Sequence, residues 1–119
     1  MKYLCLVYHD VETDVDALPA GEYNAIMNEV SEYVEELRAG GHYIAASPLQ
    51  PVQTTTTLRV HNGLTTVTDG PFAETKEQLA GFYLIEARDL NDAIRLASKT
   101  PSARLGSIEV RPLKELALK

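Results

Sequence analysis

Asp69 is the first residue to weigh as an acid or base. It ends a β-branched stretch and opens the turn Asp69-Gly70-Pro71-Phe72. A carboxylate there either lines a cleft, placed for proton transfer, or begins the turn by accepting a nearby backbone N–H. His9 and His42 stand at the ends of strand-like segments, where a sheet opens to a cleft, and His61 flanks a tight turn. No histidine stands at a metal-ligand spacing from another or from a cysteine, so no metal is expected. Arg59, Lys76 and Arg111 are cations that could meet an acidic ligand, the two arginines in bidentate fashion. Tyr8 and Tyr83 offer aromatic walls with a polar tip. Each residue also has a structural use: a solvated charge, a strand end, a packed ring. The candidates are thus Asp69 for acid–base chemistry, and Tyr8, His9, His42, Arg59, Lys76, Tyr83 and Arg111 for ligand contact.

Other chemistries leave no trace. No serine stands in a Gly-x-Ser-x-Gly context, and neither a phosphate-cradling glycine loop nor a dinucleotide fingerprint occurs, so no cofactor is expected. The net charge is −6, and Asp10 to Glu36 holds nine acidic residues without one Lys or Arg. That distribution disfavours nucleic acid and anionic membrane as partners. The apolar start Lys2–Tyr8 is too short for a signal-peptide core, and no stretch is long enough to span a bilayer, so a cytoplasmic protein is expected. The one cysteine, Cys5, excludes an internal disulfide and is expected in the core.

The elements that would position these residues follow from periodicity. With 119 residues there is room for one domain, 1–119. Lys2–Tyr8 is apolar on both faces and predicts a central strand. Tyr23, Ile26, Met27, Val30, Val34 and Leu37 form a helical stripe between Pro19 and Gly40-Gly41. Tyr43–Ala46 is a short strand. Thr54–Val60 and Leu64–Asp69 flank an Asn62-Gly63 turn of type I′, which sets Leu58 opposite Val67 and Thr56 opposite Asp69. Ala73–Gln78 could form a helical turn, and Phe72 is expected to turn into the core. Ala80–Ala87 is a strand. Asp89 caps a second helix ended by Pro101, with Asp92 as a capping-box partner. Ser107–Pro112 is the last strand.

This order is α+β and ferredoxin-like: an antiparallel sheet with both helices on one face and an inserted hairpin. Apolar residues remain on the other face, and pairing two such faces gives a homodimer, with Glu109 and Arg111 pointing into a cavity between the sheets.

Thr66-Val67-Thr68-Asp69-Gly70-Pro71-Phe72-Ala73-Glu74-Thr75-Lys76-Glu77, followed by Leu79-Ala80-Gly81-Phe82-Tyr83, resembles the signature of the DGPF-type branch of the YCII-related family. Lys2-Tyr3-Leu4-Cys5-Leu6, Ser47-Pro48-Leu49 and Gly106-Ser107-Ile108-Glu109-Val110-Arg111-Pro112 extend the likeness over nearly the whole chain. The resemblance implies a dimeric α+β barrel and cytoplasmic bacterial proteins whose genes often neighbour, or are fused to, extracytoplasmic-function sigma factors. It implies no settled activity. The wider family has been proposed to use a His and Asp pair, the His on the first helix. Here that helix carries no histidine, so the pair is not carried over. Two functions stay open: a ligand-sensing or accessory module associated with sigma-factor regulation, and a small-molecule enzyme using the inter-sheet cavity with Asp69 as acid or base.

Overall fold

The computed structural model describes residues 1–10 and 15–116. The element order is β1 (Lys2–Asp10), α1 (Ala20–Ala39), β2 (Tyr43–Pro48), β3 (Thr56–His61), β4 (Leu64–Asp69), β5 (Glu77–Glu86), α2 (Leu90–Ala97) and β6 (Gly106–Pro112). Four strands form an antiparallel sheet in the order β2-β5-β1-β6, the ferredoxin-like arrangement, and β3-β4 forms a separate ribbon. The doubly apolar β1 is central, flanked by β5 and β6.

Strand alternation sends Tyr3, Cys5 and Val7 to one face with Tyr83 and Ile85. These pack with Tyr33 and Leu37 of α1 and with Ala93, Leu96 and Ala97 of α2 in one buried cluster, so both helices cover the same face. Tyr33 meets Tyr83 edge to face, with ring centroids 5.2 Å apart, and donates its hydroxyl to Leu96 O at 2.8 Å. Cys5 lies in this core, and burial pushes its thiol up to about 11. Asp89 caps α2, its Oδ1 accepting from Asp92 N at 2.8 Å. The Asp92 carboxylate does not close the expected box on the cap. It accepts from Arg88 N at 3.0 Å and from Arg95 at 2.7 Å, and these bonds hold it well below the usual carboxylate range.

The opposite face presents the cross-strand pairs Leu4–Leu84 and Leu6–Phe82, all half-buried, bordered by Tyr8, Glu109 and Arg111. The β3-β4 ribbon turns at Asn62 (φ 51°) and Gly63 (φ 78°), and its register places Leu58 opposite Val67 and Thr56 opposite Asp69, as the turn chemistry predicts. One ribbon face carries Leu58, Val60 and Val67, each more than 60% exposed. The ribbon projects: the radius of gyration is 16.4 Å, against about 13.5 Å for a compact chain of this length.

Two expectations fail beside the ribbon. Residues 73–78 form no helical turn but run irregularly into β5, which starts at Glu77. Phe72 does not enter the core; it is 77% exposed. Gly70 does reverse the chain, with φ 97°. The reversal leaves Phe72 at the foot of a ribbon that belongs to the second sheet, outside the helix-covered face where the core forms.

Candidate functional site

The apolar stripe of α1 is unequally used. At its C-terminal end Tyr33 and Leu37 are buried against the sheet. Further forward, Tyr23, Ile26, Met27, Val30 and Val34 are only half-buried. The space between this front half and the sheet is a cavity of about 450 Å³, within the range of small-molecule sites. The sheet supplies Val7 and His9 from β1, Ala46 from β2, and Tyr83 from β5. The segment Ser47–Gln53, broken by Pro48 and Pro51, closes one side and brings Gln50 and Gln53. Asp10 and Asp16, both exposed, stand on the rim.

His9 is the polar centre of this space. It follows Val7 by two residues, so it faces the helices. Its Nε2 is removed from solvent and has no hydrogen-bond partner, a costly state for a ring nitrogen unless something else occupies the site. Burial holds its pKa below the ordinary 6.5. His9 pairs with Gly106 on β6. A Cβ at Gly106 would lie 1.9 Å from Tyr8 O, so only glycine lets β6 approach closely enough to fix this strand end. Tyr83 forms the deep wall; its hydroxyl accepts from Thr100 at 3.3 Å, and burial raises its pKa.

The candidates drawn from the sequence are spread over the fold. His9 and Tyr83 meet in the cavity. Tyr8 lies on the opposite sheet face, where a hydrogen bond to Glu109 raises its pKa, and exposed Arg111 lies beside it. His42 lines a smaller space of about 210 Å³ between the C-terminal part of α1 and α2, its Nδ1 2.8 Å from Glu86 O. Arg59 is on the ribbon opposite Thr66, and Lys76 is exposed in the segment before β5. Asp69 is exposed at the end of β4 and does not line the cavity. Its turn is tied by other groups: Gly70 N donates to Thr55 O at 2.7 Å, and the Thr57 hydroxyl donates to Gly70 O at 2.7 Å.

Sequence reasoning missed the glutamines, Asp16 and the helix stripe as a ligand surface. One signal pointed to the glutamines: a loop in which Gln50 and Gln53 flank Pro51. Among the described residues no group of three or more His, Cys, Asp or Glu could hold a metal ion. No helix among them is long and apolar enough to cross a membrane.

Residues 1–117 match the YCII-related domain. The chain belongs to the YCII-related family. The chain is also similar to uncharacterized protein R00369 of Rhizobium meliloti (strain 1021), at 40% identity over 115 residues, covering 95% of this chain and 92% of that protein. Among solved structures, the chain is similar in fold to 5-chloro-2-hydroxyhydroquinone dehydrochlorinase (TftG) from Burkholderia phenoliruptrix AC1100, in complex with 2,5-dihydroxybenzoquinone. It has a TM-score of 0.55 at 16% identity, covering 96% of this chain and 94% of that one. At that identity the likeness establishes the shared α+β fold and carries no reaction across.

Proposed function

We propose that this YCII-related chain, of the DGPF branch by its Asp69-Gly70-Pro71-Phe72 turn, is a small-molecule-binding module that works as a homodimer in the cytoplasm. One observation carries the reading: the front half of α1 stands off the sheet, over a cavity whose one buried ring nitrogen, His9 Nε2, is unpaired. Largely apolar walls with a few polar groups, His9, Gln50 and Gln53 among them, suit recognition of a compact organic ligand. His9, kept neutral by burial, would donate or accept one hydrogen bond to it. Ligand occupancy would then be the signal handed on, in keeping with an accessory role beside a sigma factor.

The homodimer rests on two uncovered apolar surfaces: the Leu4, Leu6, Phe82 and Leu84 face, and the ribbon face of Leu58, Val60 and Val67. An isolated two-stranded ribbon is marginal in water, so a surface that covers it adds stability. In such a dimer Asp69, Arg59 and Arg111 would lie near the twofold, and a second, inter-sheet site is open to them.

A fragment screen read by amide NMR tests the cavity. Binders should shift His9, Tyr83 and the front half of α1, and should be excluded by Val30→Trp, which fills the space. Binders that shift only the opposite sheet face, or that survive Val30→Trp unchanged, would refute the cavity as the site.

A further inference from the structure

All three glutamines of the chain, Gln50, Gln53 and Gln78, line the cavity that holds His9. A strand irregularity brings Gln78 there. Alternation back from the buried Tyr83 and Gly81 would put Leu79 on the helix-covered face and Gln78 on the other. Between Val7 and Tyr8, however, the register with β5 shifts: Val7 is opposite Gly81 but Tyr8 is opposite Leu79, and Ala80 is left over. Past this bulge the β5 side chains change faces. Gln78 is paired with His9 and shares its face, where directly opposite Cβ atoms lie about 5 Å apart. Bulges re-aim side chains in this way beside functional sites. Leu49 N donates to Ala80 O at 2.8 Å, so the loop that carries Gln50 and Gln53 is anchored on the bulged residue.

The charged groups nearby are already engaged. Asp10 and Asp16 have interactions of their own, and Arg104, next to the lining residues Ser102 and Leu105, is paired with Glu29. The groups left to meet a ligand are neutral. His9 Nε2 and the Gln78 carboxamide have no hydrogen-bond partner among the described residues. Whichever role Nε2 takes, donor or acceptor, the carboxamide can turn to supply the opposite one. Such a pair matches a ligand edge with a donor and an acceptor on neighbouring atoms. A cyclic amide holds both in the plane of its ring, with no rotor to freeze on binding. The space itself lies between apolar layers, Ile26, Met27 and Val30 of α1 on one side and Val7 and Ala80 of the sheet on the other, which suits a flat body.

We infer that the cavity takes a flat, neutral cyclic amide whose adjacent N–H and C=O are read by Gln78 together with His9. This rests on the cavity being the binding site.

Isoquinolin-1(2H)-one and isocoumarin test it. They share size and carbonyl, and differ in an N–H replaced by a ring oxygen. Each is titrated into the full chain at pH 7.5 and followed by amide shifts of cavity residues. The lactam should bind roughly tenfold more tightly, the effect of one lost hydrogen bond with an acceptor left facing an acceptor. Gln78→Met keeps the length of the side chain without its polar atoms, and should remove that advantage while leaving isocoumarin binding unchanged. In the wild type, the Gln78 side-chain NH2 resonances report the same contact without a variant, and should shift on saturation with the lactam. Equal binding of the two probes at the cavity, a lactam preference that survives Gln78→Met, or unmoved Gln78 NH2 resonances would overturn the inference and leave the cavity reading standing. If neither probe moves a cavity resonance, both are overturned.

Discussion

Truncating the two ends of the α1 stripe should have unequal consequences. Leu37 is 2% exposed and packed in the core. Leu37→Ala loses the transfer free energy of the removed atoms and leaves a void among close-packed neighbours, a cost of about 2–5 kcal/mol. Met27 occupies the same stripe but borders a space that is already empty. Met27→Ala widens that space without creating a new one, so the cavity contribution drops out. What remains is about half the transfer term of roughly 1.5–3 kcal/mol, hence about 1 kcal/mol. Equilibrium urea unfolding reads both. With a slope of about 2 kcal/mol per molar, the midpoint should fall by about 1–2.5 M for Leu37→Ala and by about 0.5 M for Met27→Ala. Equal losses would refute the reasoning, because they would mean that the front half of α1 packs on the sheet in solution and that no cavity lies beneath it.

Three other outcomes follow from the same structure. His9 has its pKa lowered by burial, so the unfolded chain takes up the proton first; the stability His9 contributes is full above about pH 6.5 and falls as the pH drops through the lower folded value. Wild type should therefore lose its advantage over His9→Gln between pH 7.5 and 5, and a constant difference in chemical denaturation would show that the ring is solvated. Gly106→Ala should cost about 3 kcal/mol from its clash with Tyr8 O, whereas Gly21→Ala, with open space around it, should gain about 0.5–1 kcal/mol; similar melting of the two variants would contradict this. Sedimentation equilibrium should give a dimer at micromolar protein that Leu58→Asp with Val67→Asp converts to monomer, and Phe72→Ala should cost under about 1 kcal/mol in that monomer; a wild-type monomer would remove the case for pairing.

Periodicity was a sufficient guide wherever a residue's direction was the question. The doubly apolar Lys2–Tyr8 segment became the central strand, and Asn62-Gly63 delivered both the turn and the register of Leu58 with Val67. Distance was a different matter. The stripe from Tyr23 to Leu37 told which side of α1 faces the sheet, but not that contact is made only near Tyr33 and Leu37. The helix-side cavity was therefore invisible, although two of its residues, His9 and Tyr83, were named. Phe72 misled for a related reason: hydrophobicity states a preference for burial, and a projecting ribbon has no core of its own chain to offer.

The unequal seating of α1 has a mechanical side. A helix of 20 residues is about 30 Å long, and this one is clamped near Tyr33 and Leu37, leaving a cantilever of roughly 20 Å from Ala20 to the clamp. A tilt of about 10° at the clamp would carry the free end through about 3.5 Å while the side chains of the core kept their neighbours. The surface tie near mid-beam, Glu29 to Arg104, is between exposed groups and resists such a tilt only weakly. The width of the space beneath the front half of α1 is thus set by an angle rather than by the composition of the core. A chain built this way can change the width of that space by altering residues that bear little of its stability.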